Sequence, residues 1–215
     1  YARYGFDPAL VVPASKQDPK EMWQKLMEIA KGIENRHLRR LVGIVYRENK
    51  KELLIHPASI LSHYSYRSGL LESILSMATL GSSVGSNFDV NMDVLMAGIL
   101  LHNVGKLKEL SAGLETDCTD EGNFLDHAIL SRDMVREAAG KIRGFPASVQ
   151  LKLEHMTLAH RGRLEWRDNL KPNNPEALLL HLIHNLDKQM NLMKKFIEED
   201  VEDGKWTTRV NHLYI

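Results

Sequence analysis

Residues 100–106 read LLHNVGK. A polar cluster of histidine, amide, glycine and lysine there closes the apolar run of residues 94–101. An unpaired polar ring at the end of a buried helix is costly, so His102 calls for a partner. Working outward from this stretch, the dominant period is helical. Asp18, Pro19 and Glu21 give an N-cap, a proline at the first helical position and an acid at the third. Met22, Trp23, Leu26, Met27 and Ile29 then recur at helical spacing. Leu38, Leu41, Val42, Ile44 and Val45, with arginines between them, form a second amphipathic segment. The spacing predicts helices near 19–32, 35–48, 57–82, 89–104, 121–140, 146–160 and 174–199. The stretch 81–87, GSSVGSN, breaks the third from the fourth. In the last helix Leu178, Leu179, Leu182, Ile183, Leu186 and Met190 are assigned to the buried side. No alternating strand and no internal repeat is found. The fold expected is all-α, a single multi-helix bundle over residues 19–201, with an N-terminal arm at 1–18 and a C-terminal tail at 202–215.

Composition narrows the function classes only slightly. The 215 residues are 43% hydrophobic and 26% charged, enough for one fair-sized core. Twenty-eight basic and 28 acidic residues cancel, so the overall field favours neither nucleic acid nor membrane. Cys118 is the single cysteine and has no internal disulfide partner. No apolar run is long enough to span a bilayer, so a cytoplasmic protein without a membrane partner is expected. The opening residues, YARYGFDPALVVPAS, begin without methionine and lack signal-peptide order, so a longer parent protein is expected.

The ten histidines carry the chemistry. His102 ends the apolar helix, His127 follows the acidic turn at 119–122, and His155 and His160 share one predicted helix. His181 and His184 lie three apart on another, on a face shared with Asp187. Helical bundles build metal sites by turning such side chains inward. His155 and His181 read as packing or hydrogen-bonding residues.

Five segments in order, HYSYRSGLLE at 63–72, LLHNVGKLKEL at 100–110, TDEGNFLDH at 119–127, LEHMTLAHRG at 153–162 and EALLLHLIHNLDKQM at 176–190, resemble the HD superfamily of metal-dependent phosphohydrolases. The chain is most similar to the HD domain of YhaM-type 3′-to-5′ exoribonucleases. The resemblance implies an HD-type bundle whose metal site takes a histidine after the Leu-Leu-Glu segment, a His-Asp pair, a histidine after the acidic turn, a His-His pair and a late aspartate. His102, His127 and His160 match three of these. Ser73, Asn103, Arg161 and His184 stand where the opening histidine, the aspartate of the pair, the second paired histidine and the late aspartate belong.

These replacements weaken a binuclear site. Asn103 offers a neutral oxygen in place of an anion, and Arg161 brings a fixed positive charge to a cation's place. His102, His127, His160 and His184 remain as ligands for one divalent transition metal, with manganese, iron, nickel and zinc as candidates; the other expectation is no metal. Asp187, one turn beyond His184, matches a second aspartate of the family motif in preference to reaching that site; its other reading is an ion pair or a hydrogen bond within the bundle. The resemblance assigns Asn103 and Lys106 to catalytic positions. His63, Arg67 and Arg161 are expected to contact a phosphate-bearing substrate, arginine being suited to it by its planar donors. Two functional readings follow. One is an impaired or inactive domain that binds a phosphate-containing ligand, RNA or a partner, a second copy of the chain included. The other is an active phosphohydrolase, an exoribonuclease or phosphodiesterase, with a mononuclear histidine-rich site. Cys118 beside acids is a poor nucleophile, and no Walker loop, dinucleotide fingerprint or Cys-x-x-Cys pair is present. The basic loop at 161–167, with Trp166, is the local candidate for nucleic-acid contact.

Overall fold

The structure, a computed structural model, describes residues 12–113, 115–161, 171–200 and 205–207. It is all-α, with isolated bridges such as Ala14 to Arg67 in place of sheets among those residues. The order is α1 (Pro19–Lys31), α2 (Arg36–Glu48), α3 (Lys50–Leu53), α4 (Gly69–Gly85), α5 (Met92–Leu101), α6 (Lys106–Glu109), α7 (Asp120–Phe124), α8 (His127–Gly140), α9 (Ala147–Ala159) and α10 (Pro175–Glu198). The opening stretch explains the centre. α5 is capped by the Asn91 side chain, which accepts from the Val94 N–H, and every residue from Val94 to Leu101 is buried. It therefore packs against α1, α2, α4, α9 and α10 and serves as the axle of the bundle. Tyr46 on α2 donates a 2.8 Å hydrogen bond to the Leu100 carbonyl, satisfying both groups in the core.

Two glycines let the site-bearing elements approach. A Cβ at Gly98 would lie 2.1 Å from Met156 on α9. A Cβ at Gly105 would lie 2.2 Å from the His127 carbonyl and 2.4 Å from the Ser131 nitrogen, so the turn after α5 sits directly on the first turn of α8. The Gly105 N–H also donates to Ser131 Oγ at 2.8 Å.

Three expectations need correction, and two short helices were not foreseen. Residues 57–68 are not helical; they form a loop with positive φ at Tyr64 and Ser68, and α4 starts only at Gly69. The Tyr64 carbonyl fills the space a Cβ of residue 69 would need, at 2.2 Å. The segment 121–140 is two helices, because Asp126 leaves helical geometry to cap α8, accepting from the Ala128 N–H at 2.8 Å. The short helices α3 and α6 carry too few turns to show a period. In α10 the core side is Leu179, Leu180, Ile183 and Asp187, while Leu178, Leu182, Leu186 and Met190 are exposed. Apolar residues there cover more than one face, so periodicity alone could not choose the buried one. Trp166 and its loop lie outside the described residues.

Candidate metal and phosphate site

The ends of α5, α9 and the first turn of α8 converge on the middle of α10. His102 follows α5, and its Nδ1 donates to the Ile99 carbonyl at 2.8 Å. His160 follows α9, and its Nδ1 donates to the Thr157 carbonyl at 2.7 Å. A carbonyl can only accept, so each neutral ring presents a bare Nε2 lone pair inward. His184 reaches in from α10, its Nδ1 3.3 Å from His102 Nε2. The three rings stand edge to face, with centroids 4.9, 4.9 and 5.3 Å apart. Their donor atoms all lie within 4.8 Å of one another.

Burial keeps these rings neutral. It pushes His102 down to about 4, with Lys106 adding to the effect, and holds His160 and His184 well below the ordinary imidazole range, where neighbouring imidazoles add to it. The fit to a metal can be judged from the donors. Two imidazole nitrogens held about 2.0–2.1 Å from a tetrahedral ion stand about 3.4 Å apart, close to the His102–His184 separation. His102, His160 and His184 thus suit one borderline cation. Asn103 Oδ1 is buried without a hydrogen-bond partner among the described residues, a neutral oxygen left unsatisfied beside His102 in the chain.

The second half of the site differs. His127 Nε2 is 3.4 Å from His160 Nε2, but His127 Nδ1 faces Arg161 Nη2 at 2.9 Å and Glu109 Oε1 at 3.1 Å. Arg161 also pairs with Asp126. Glu109 is shared with Lys106, 3.8 Å away. Glu109, Asp126 and His127 form a second group of potential ligand atoms, yet protein cations already occupy their charge. Burial, then Lys106 and Arg161, drive the His127 ring well below its ordinary value. A two-metal arrangement does not fit these residues.

Over this floor opens a cavity of about 370 Å³, lined by His63, Lys106, His127, Arg161, His181, His184, Asn185 and Lys188. Three of these are cations and none is a carboxylate. Burial lowers Lys106 to about 8, with Glu109 opposing that shift. His63 lies in the loop at 57–68, and burial, with Lys106 and Lys188, lowers it to about 3. His181 donates to the His160 carbonyl at 2.8 Å, and His155 accepts from the Asn173 N–H at 3.0 Å.

The structure brings His63, Lys106, Arg161 and the four expected histidine ligands together. It does not bring Arg67 to the cavity lining; the Arg67 backbone is bonded to Pro13 and Ser15 instead. Asp187 is likewise spent elsewhere, accepting from Tyr64 Oη at 3.0 Å and from Ser76 Oγ at 2.5 Å. Lys188 escaped sequence reasoning because one lysine on a polar helix flank looks like a solvated cation. Its spacing of four from His184 was the available signal.

The HD domain family profile matches residues 70–189, and the chain belongs to this family of phosphohydrolase domains. It is similar to the 3′-5′ exoribonuclease YhaM of Oceanobacillus iheyensis, 34% identical over 194 residues that cover 90% of this chain and 61% of that protein. It is similar also to the YhaM proteins of Bacillus subtilis and Bacillus licheniformis, 32% and 33% identical over 191 residues each, covering 88% of this chain and 60% of theirs. The chain thus spans about three fifths of the length of these relatives. No solved structure matches it. No helix among the described residues is long and apolar enough to cross a membrane.

Proposed function

We propose that this chain is an HD-type domain that binds phosphate esters of RNA in the cationic cavity and is impaired in hydrolysing them. The observation that carries this reading is Arg161, which lines the cavity, pairs with Asp126 and donates to His127 where the family pattern would use a second metal. A guanidinium cannot deprotonate, so it repels a second divalent ion while still offering paired donors to a phosphate. Lys106 and Lys188 supply further positive charge, and Asn185 a neutral polar group at the rim. A carboxylate placed to take a proton from an attacking water is lacking among the described lining residues. Glu109 is engaged by Lys106 and by the His127 backbone N–H, and the His63 ring is a weak base. RNA is the ligand class indicated by the relatives' names. One transition metal on His102, His160 and His184 would add Lewis-acid polarisation of a phosphate oxygen.

Elemental analysis after exposure to manganese, iron, nickel and zinc, followed by assays on single-stranded RNA, tests this. No more than one equivalent of metal is expected, lost in His102→Ala, together with RNA binding but no shortening of the strand. Two equivalents, or metal-dependent shortening from the 3′ end that His102→Ala abolishes, would sink the impaired reading. The convergence of three neutral imidazoles favours the second reading, an active mononuclear enzyme, and that assay is the one that would establish it.

Phosphate binding should also depend on pH through Lys106. With its ammonium near a pKa of about 8, the group is mostly charged at pH 7 and mostly neutral at pH 9. Affinity for a phosphorylated oligonucleotide is therefore expected to fall severalfold over that range, and Lys106→Arg should flatten the fall. An unchanged profile in Lys106→Arg, measured by fluorescence anisotropy, would remove Lys106 from phosphate recognition.

A further inference from the structure

The outward face of α10 has a composition that solvent alone does not explain. At about 100° per residue, Leu178, Leu182, Leu186, Met190, Met193 and Ile197 fall on one arc, in which Gln189 is the only polar residue and no charged residue of the helix lies. Each of the six is between 39% and 58% exposed. They are six of the thirteen large apolar side chains exposed among the described residues, so the exposure is concentrated, not scattered. The remaining arcs of the helix are accounted for. One packs on α4, α5 and α9, and the next carries His181, His184, Asn185 and Lys188 to the cavity. An exposed helix arc is ordinarily polar, and a continuous apolar one marks a contact surface.

We propose that this arc pairs with the same arc of a second copy of the chain, the two α10 helices running antiparallel about a two-fold axis near residues 187 and 188. The spacing is what selects a second copy. With the axis there, Leu178 meets the partner's Ile197, Leu182 meets the partner's Met193, and Leu186 meets the partner's Met190, so each apolar side chain finds another in the self-complementary manner of a two-fold interface. Gln189 lies beside this centre and brings no like-charge contact. The antiparallel sense also follows from charge. It sets the carbonyl end of α10 towards the N-terminal end of the partner helix, so that the two helix dipoles oppose; a parallel pair would stack like ends together. The stripe is about 28 Å long and offers on the order of 500 Å² per copy, at the lower end of specific interfaces. The dimer is accordingly concentration-dependent in the micromolar range.

Sedimentation velocity of the 215-residue chain, from low micromolar to near-millimolar concentration, reads the association directly. The expected result is a shift from the 24.5 kDa monomer to twice that mass. Leu186→Glu/Met190→Glu should stay monomeric throughout with unchanged helical circular dichroism, while Leu151→Glu, at an exposed site on α9, should dimerise normally. For the register, Leu182→Cys and Met193→Cys are made separately in a Cys118→Ser background and oxidised mildly, singly and mixed. A disulfide in the mixture but in neither variant alone is expected. A wild-type chain that stays monomeric, leaving the arc to some other partner, or a dimer that survives both glutamates, overturns the proposal. A self-disulfide of Leu182→Cys overturns the antiparallel register.

Discussion

Acidification from pH 7 to pH 4 is expected to unfold the domain, because the cavity floor is built from imidazoles that fold only in the neutral form. A histidine whose folded pKa is lowered binds fewer protons in the native than in the unfolded state between the two values. Its contribution is therefore complete above about pH 6.5 and is lost as pH falls towards the folded value. For His102, lowered to about 4, and His63, lowered to about 3, the loss by pH 4 is on the order of 3 kcal/mol each. His127, His160 and His184, all well below the usual value, push the same way. Asp187 opposes them, since burial raises its carboxyl and its folded form gains as pH falls, but it is one group against five. With a typical domain stability of about 5–15 kcal/mol, this sum decides the outcome. Far-UV circular dichroism should show helix loss beginning below about pH 6 and well advanced by pH 4. Full helicity retained at pH 4 would show that the rings accept protons without leaving the site.

Gly105→Ala should strongly destabilise the domain. The added carbon would press on the His127 carbonyl and the Ser131 nitrogen at 2.2 and 2.4 Å, both backbone atoms of a helical turn that cannot swing aside as a side chain can. Relief requires moving the turn after α5 away from α8, stretching the bond to Ser131 Oγ and carrying His127 off His160. We expect a cost of about 3 kcal/mol, which lowers the melting temperature by about 6–12 °C in a chain of this size, with weakened metal retention. Gly140→Ala is the matched control, because a Cβ there meets nothing within 4 Å and alanine favours a helix. Equal melting temperatures for the two variants would show that the close approach of α5 to α8 has slack.

The long helices were legible because each shows a cap and a sustained period, as Asp18 with Pro19 and Asn174 with Pro175 do. The loop at 57–68 was not, since Ile60, Leu61 and Tyr64 mimic helical spacing while the positive φ of Tyr64 and Ser68 leaves no mark in composition. In the site, His102, His127, His160 and His184 were readable from family order, and the structure gathers them. Arg67 was a candidate only by its charge, and charge says nothing about which way a loop folds; it is absent from the cavity lining. For Asp187 the hydrogen-bonding alternative holds, but its partners, Tyr64 and Ser76, could not be named because they lie more than a hundred residues away in the chain.

That same loop has a mechanical consequence. The Tyr64 N–H donates to the Asn191 side chain, Tyr64 Oη reaches Asp187, and Lys195 Nζ holds the Leu61 carbonyl and Ser65 Oγ, so one face of α10 grips the loop at several points along about two turns. His63 and the α10 residues of the cavity wall are consequently two jaws of one rigid bracket. The opposite wall is held by side chains alone, Arg161 pairing with Asp126 at the surface and donating to His127, so the two sides of the cavity differ in how firmly the backbone fixes them.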